Sequence, residues 1–452
     1  MTSINSGSRV IQDAAPATGA KPLSRIGQLL VAGLIPVAAL NPVLPHVGPV
    51  SSFTAYAIIF FVYAIGHIHK RPPSRLRLLI ALFSIVVLGI ALVTLANRFG
   101  ALYASAEAVV VAGGLFITLG LISLPSTRNT IKSLLLGWLL ASIITTVLAI
   151  VELLTGHHFG PSYLDANPGA SKTGVVVVFF NPNNYAAFLT LTIPLLIAGA
   201  RLTSRVWVRR AYYLAAFASV PIMFLTSSRF GLAALVLGAA VWVILRVRSR
   251  VAQAAILVFA LIGVIAVLVM FQGRTAGDIS AGISRDSYEI TIGGIKIPSD
   301  SSLLARWNLA LNGLDMIAEN PFGSGPGGYE LSALSTGTSR MTFGMVNPHN
   351  GAIEFATQYG VFLGIIAALI TVTLLATALR ANSVASRRSP DRALAAATVA
   401  VIWTLPLLFG MHSTFVDVPH EWLGFATFAT IGVYLTQYRG APRTPDAIAD
   451  DV

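Results

Sequence analysis

NPHNGAIEFATQYG (347–360) is where a long hydrophilic stretch runs back into apolar chain. It ends one polar segment of nearly eighty residues and opens a run, 351–379, long enough to cross a bilayer. His349 lies at that boundary. Elsewhere the sequence repeats the pattern of apolar runs of 17–25 residues joined by short polar links. Nearly every ionisable residue outside the basic links lies at or beyond one end of such a run. Any chemistry belongs to that one face.

Composition supports a membrane class. Hydrophobic residues make up 55% of the 452, charged residues 11%, and mean hydropathy is +0.76. A soluble chain of this size could not cover that much apolar surface. The reading is an all-α polytopic membrane protein. Spans are expected near 27–44, 51–68, 78–96, 106–124, 133–154, 176–200, 211–227, 230–246, 251–271, 351–379, 393–411 and 421–438, twelve in all. With the N-terminus inside, 22 of the 30 Lys and Arg residues fall on inner segments. The other eight (Arg98, Lys172, Arg229, Arg274, Arg285, Lys296, Arg306 and Arg340) fall outside. That asymmetry puts both termini in the cytoplasm. It also explains the net charge of +12 as topology and attraction to anionic lipid heads, with no nucleic-acid patch. The residues divide into a cytoplasmic tail (1–26), nine spans (27–271), a large outer loop (272–350), three spans (351–438) and a second tail (439–452). The first 25 residues are polar and small, and no cleavable leader is expected from them. There is no cysteine, which excludes disulfides and thiolate chemistry.

The outer loop has its own pattern. YEITIGGIKI (288–297) alternates around Gly-Gly and reads as a small β-hairpin. SSLLARWNLALNGLDMIAEN (301–320) places Leu304, Trp307, Leu311, Leu314 and Met316 at roughly helical spacing. Pro321 ends it, and PFGSGPGGYE (321–330) is a glycine-rich turn. Glu107, Glu152, Glu354 and Glu421 all fall within a few residues of an outer span end. An ion-coupled transporter would place such groups near the midplane. Here they favour a site open to the outer leaflet, accepting a lipid-borne substrate.

Four stretches carry a family resemblance. They are FFNPNNYAAFL (179–189), SSRFGLAALVLG (227–238), ARWNLALNGLDMIAENPFGSGPGGYE (305–330) and PHNGAIEFATQYGVFLG (348–364). In order and position they resemble the O-antigen ligase and polymerase superfamily of bacterial membrane glycosyltransferases, over roughly residues 175–440. The resemblance implies a GT-C-like enzyme without metal or other cofactor. It would move a glycan from an undecaprenyl-diphosphate carrier to a glycolipid (lipid A core) or other surface acceptor, on the outer side of the cytoplasmic membrane.

The residue types suit that chemistry. A diphosphate leaving group needs counter-charges, and guanidinium groups grip phosphate oxygens bidentately. Arg229 and Arg306 are the candidates; alone, each also reads as a snorkelling or solvated surface residue. Arg340 is a further phosphate candidate, but its Ser/Thr/Gly surroundings favour a solvated loop. His349 is the candidate general base for an acceptor hydroxyl, since imidazole titrates near neutrality. Asn350 reads as a helix N-cap or a substrate contact. Glu354 reads as an orienting group or a sugar ligand. His412, Asp417 and His420 cluster between the last two spans, where polar contacts with a sugar or lipid head are favoured over a metal. Asn181, Asn183 and Asn184 read equally as interhelical hydrogen-bonders and as substrate contacts. A polymerase of the same superfamily would share donor and leaving group, and another cell-wall or surface polysaccharide transferase of the related polytopic kind is a further alternative. A lipid-linked sugar flippase would need charges along a path through the bundle, and the sequence shows none.

Overall fold

The computed structural model describes residues 23–437 apart from 49, 69–73, 98–101, 163–164, 166–173, 271–287, 293–294, 300, 337–339, 387–388 and 413. All but residues 23–26 of the two expected tails, together with Arg98, Lys172, Arg274, Arg285 and much of the 155–175 segment, thus lie outside the described residues. Helices dominate. In chain order the first five are α1 (Arg25–Ala39), α2 (Ser52–Ile65), α3 (Arg75–Asn97), α4 (Leu102–Ser123) and α5 (Arg128–Thr155). Between α1 and α2 lie two-residue strands, β1 (His46–Val47) and β2 (Val50–Ser51), paired antiparallel. Then follow α6 (Pro182–Leu202), α7 (Val206–Leu225), α8 (Arg229–Ile244) and α9 (Arg250–Met270). β3 (Tyr288–Ile292) and β4 (Ile295–Ser299) form an antiparallel hairpin with Ile290 opposite Ile297. The 272–350 segment continues as α10 (Ser301–Glu319) and α11 (Gly328–Thr336). The chain ends in α12 (Gly351–Tyr359), α13 (Val361–Val384), α14 (Pro390–Phe409) and α15 (Pro419–Gln437).

Among the described residues seven helices, α3, α4, α5, α6, α9, α13 and α14, are long and apolar enough to cross a membrane. Three more, α1, α2 and α8, are shorter apolar helices. The other two expected spans are the helices α7 and α15. This is the helical fold of an integral membrane protein. Side-chain caps start many of the helices: Ser24, Ser51, Thr127, Asn181, Ser228, Asn350 and Ser389 each accept a backbone N–H from the first turn. Pro182 and Pro390 follow their caps, where a missing N–H costs nothing. α6 is the central helix, packed on α7, α14 and α5. α14 and α15 close the core against α8 and α4. Small residues set the closest approaches: a Cβ on Gly137 of α5 would lie 2.6 Å from the Ala32 carbonyl oxygen of α1.

Three expectations need correction. The run 351–379 is not one helix. It breaks at Gly360, whose φ is +88°, between α12 and α13. The break is enforced from upstream: Val361 N–H donates to Pro321 C=O (2.9 Å), and Gly325 N–H donates to Gln358 C=O (2.7 Å). A Cβ at Gly323 would sit 2.5 Å from the Gln358 carbonyl oxygen, so the glycine-rich turn is built to lie on this joint. Second, the helix expected from 176 starts at Pro182. Residues 174–181 are irregular because Glu152 takes the N–H groups of Val176 (2.8 Å) and Val177 (2.5 Å) out of helical pairing. Third, the buried stripe of α10 runs through Ala305, Leu309 and Asn312, whereas Leu314 is exposed. Leu309, Tyr329 and Ala333 make a small core of the loop's own, with Tyr329 Oη donating to Leu309 C=O (2.7 Å).

Candidate functional site

One end of the helical bundle brings together residues that are far apart in sequence. Arg306, in the first turns of α10, donates through Nη1 to the Gly410 carbonyl. Its guanidinium lies 5.3 Å from the centre of the Phe230 ring, over its face. Phe230 follows Arg229, the first residue of α8. Arg306 therefore joins the loop to the start of α8 and to the 410–418 link. Arg229 is half-buried beside this point.

His349 lies close to both Arg306 and His412. Its ring is half-buried, with Nδ1 buried and without a hydrogen-bond partner. Burial holds the imidazole down to about 3, and the Arg306 guanidinium and the His412 ring add to the effect. His349 is thus neutral across the physiological range, with a ring nitrogen free to accept a proton. Its backbone is left-handed at φ +50°, and Ser227, two residues before Arg229, sits at φ +55°. Non-glycine residues rarely adopt this conformation, and it recurs where a side chain must be aimed. Asn350 caps α12, accepting from Ala352 N–H (3.1 Å) and Ile353 N–H (3.2 Å). That fixes the turn carrying His349.

Glu354 is fully buried and accepts Phe415 N–H (2.5 Å) and Val416 N–H (3.3 Å). It orients the 410–418 link that supplies the Gly410 carbonyl. Of the two roles expected for it, these contacts are those of an orienting group. Arg340 also departs from the expected group. It pairs with Asp315 (2.5 Å) and Asn312 (2.9 Å), about two and a half turns along α10 from Arg306. Asn308 holds the neighbouring Met341 carbonyl (2.8 Å), so this segment is strapped along α10 rather than turned toward Arg306.

The histidine cluster is partly as expected. His412 is fully buried, with Nδ1 3.1 Å from Asn184 Oδ1 and Nε2 2.7 Å from Glu421 Oε1. His420 Nε2 is 3.7 Å from the same Glu421 oxygen. One ligand atom from each of His412, His420 and Glu421 lies within 4.8 Å of the others, so this donor set could hold a metal. The 2.7 Å contact is a hydrogen-bond distance; two ligands of one tetrahedral zinc would stand about 3.3 Å apart. Asp417 is not part of the trio. It accepts from Thr414 Oγ1 (2.5 Å), and burial raises its carboxyl above the usual range. Burial, with Asp417 adding, likewise pushes Glu330 of α11 up to about 7.

Sequence reasoning placed Arg229, Arg306, His349 and Asn350 at one location; the structure brings Arg306 near His349, with Asn350 next to His349 in the chain and Arg229 next to the Phe230 that Arg306 covers. It missed the Asn184–His412–Glu421 chain as a unit and the structural work of Glu152 and Glu354. The Asn-Pro-Asn stretch was the available signal for the first: Asn181 caps α6 and Asn184 reaches His412. Nothing local signals the other two, because their partners are backbone amides of distant links.

No curated protein matches the chain. Residues 214–369 match the family model described as O-Antigen ligase. The matched segment runs from α7 into α13 and contains Arg229, Arg306, Arg340, His349, Asn350 and Glu354. It bears out the resemblance drawn from the four stretches above. Over residues 214–369 the chain is similar to the O-antigen ligase family, which supports the likeness to the O-antigen ligase and polymerase superfamily of membrane glycosyltransferases.

Proposed function

We propose that the protein moves a glycan from an undecaprenyl-diphosphate carrier to an acceptor hydroxyl, on lipid A core or another surface acceptor. The reaction takes place on the outer side of the cytoplasmic membrane and uses no metal in its chemistry. In this reading twelve helices span the membrane, both termini are cytoplasmic, and the site faces outward. Arg306 and Arg229 hold the diphosphate. The acceptor oxygen bonds to the anomeric carbon as the bond from that carbon to the phosphate oxygen breaks. The acceptor proton passes to the free nitrogen of His349, and the carrier diphosphate leaves against the guanidinium groups. One observation carries the reading: a loop arginine, the start of α8 and a neutral histidine with an unpaired ring nitrogen meet at a single point. Guanidinium charge beside a neutral imidazole is what anionic departure and proton removal require together.

A polymerase of the same superfamily would use the same donor and residues and differ in the acceptor. One assay separates the two: purified protein, a synthetic lipid-diphosphate glycan with a labelled sugar, and a core glycolipid. Label on the core, with release of carrier diphosphate, supports the ligase. Lengthening of the lipid-linked glycan alone supports the polymerase. Absence of carrier release with both acceptors present would remove the transfer reading and leave a transporter of the lipid-linked sugar.

A further inference from the structure

At the other end of the 410–418 link lies a second polar group that the transfer chemistry does not use. Glu107 near the start of α4, Glu330 of α11, and Gln358 and Tyr359 at the end of α12 are buried, at 4%, 3%, 0% and 1% exposure. Both carboxylate oxygens of Glu107, both of Glu330, both amide atoms of Gln358 and the Tyr359 hydroxyl lack a hydrogen-bond partner. These seven atoms are half of the fourteen such atoms among the described residues. Buried polar groups are almost always paired, so this concentration in one place calls for an occupant. The Gln358 side chain and the Gly327 amide face Glu107 without reaching hydrogen-bond geometry. The charges acting on Glu107 are two more carboxylates, Asp417 and Glu330.

The unpaired atoms identify the class of occupant. Six of the seven are oxygens, with no sulfur and no imidazole among them. An all-oxygen, anionic donor set suits a hard cation and disfavours softer transition metals. The burial makes the occupant small, since a pyranose ring could not sit against side chains at most 4% exposed without an open pocket. Gln358 is the independent indicator: it is not acidic, it is fully buried, and neither of its amide atoms has a hydrogen-bond partner, although the side chain faces Glu107.

We propose that Glu107, Glu330 and Gln358 form a binding site for one hard divalent cation, Ca²⁺ or Mg²⁺. The cation ties α4 of the membrane bundle to α11 of the outer loop and to α12 just after it. It neutralises two like charges and fixes the loop elements that carry the joint at Gly360. This site does not depend on the proposed transfer reaction and takes no part in its chemistry.

The test uses full-length protein in detergent or nanodiscs, stripped with EDTA and desalted. CaCl₂ or MgCl₂ is then titrated, with uptake read by calorimetry and stability by thermal unfolding. The expected result is one cation per chain, at submillimolar to millimolar affinity, and a higher unfolding temperature. Glu107→Gln with Glu330→Gln, which keeps shape and removes charge, should abolish uptake and make unfolding insensitive to the cation. Gln358→Met keeps both carboxylates and should weaken affinity about tenfold, which also guards against misfolding of the double variant. Absence of uptake by the wild-type chain would overturn the proposal and leave the carboxyls simply protonated. Equal uptake by the double variant, with loss in His420→Ala, would overturn it too and move the cation to the His412–His420–Glu421 trio. Neither readout involves glycan transfer, so failure here and failure of the transferase reading are distinguishable.

Discussion

Lowering the pH tests the environment of His349 directly. An imidazole at the ordinary 6.5 is about 97% protonated at pH 5, because the ratio of forms is 10 to the power 1.5. His349, held down to about 3 by burial and then by Arg306 and His412, is about 1% protonated at the same pH. The sign is that of a buried histidine: its neutral form is favoured in the folded chain, and the free enzyme keeps its base down to acid pH. Transfer measured at low donor concentration reports the free enzyme, so kcat/KM should stay flat from pH 8 to pH 5. An unperturbed base would lose about thirtyfold over that window. Bound diphosphate offsets the Arg306 charge, so kcat at saturating donor should show an acid limb that kcat/KM lacks. His349→Ala should cut kcat by about 10²–10⁴ at every pH while donor lipid still binds. The assay is carrier release from a synthetic lipid-diphosphate glycan across buffers of constant ionic strength. A thirtyfold fall of kcat/KM with a midpoint near 6.5, absent from His349→Ala, would refute the reasoning from burial and from Arg306. Near-normal transfer by His349→Ala would refute the base assignment itself.

Arg229→Lys and Arg306→Lys should each lower transfer by roughly tenfold to a hundredfold with the protein still folded in the membrane, because a point charge cannot replace a bidentate fork; wild-type turnover in both would make them surface residues. Glu354→Ala leaves two buried N–H groups without an acceptor, and should cost about 2–4 kcal/mol of stability in thermal or denaturant unfolding, with transfer falling alongside. In this cysteine-free chain, Ser335→Cys should react with an impermeant thiol reagent in intact cells and Ser386→Cys should not; equal labelling would reverse or remove the outward placement of the site. EDTA should leave transfer unchanged at temperatures below unfolding, in the wild type and in the Glu107→Gln/Glu330→Gln chain alike. Loss of transfer when EDTA is added to that double variant would place a metal in the chemistry, with His412, His420 and Glu421 as its ligands.

The apolar runs are legible because burial in lipid leaves a compositional trace that no tertiary contact can disguise. The same trace conceals the break at Gly360. The apolar run continues straight through it, and the cause is a turn thirty to forty residues upstream that captures Val361 N–H and Gln358 C=O. In the site, Arg229, Arg306 and His349 stand out by residue type, since each is costly so close to an apolar span. Arg340 looks the same in sequence. Only the Asp315 and Asn312 contacts show that its charge is already engaged. Asn184 and His412 are 228 residues apart, and their contact depends on how α6 and α14 pack. Glu152 and Glu354 are visible as boundary carboxylates, but a carboxylate that holds two consecutive amides of a distant link leaves no local pattern.

The Pro321–Gly328 turn and the joint it grips have a consequence for biogenesis. The turn precedes α13 in the chain, so it is synthesised first. In the proposed orientation it also crosses the membrane before α13 begins to insert. Ser324, Gly325 and Pro321 then offer a ready set of backbone partners to residues 357–361 as these emerge. The tenth span would therefore not settle by its own hydrophobic register. Its outer end would be seated on a segment already folded outside, and its depth and tilt would be inherited from that segment. A side chain at Gly323 or Gly360, where a Cβ would meet backbone at 2.5 Å and 2.7 Å, should then appear first as a defect in insertion, with the mature protein scarce rather than slow.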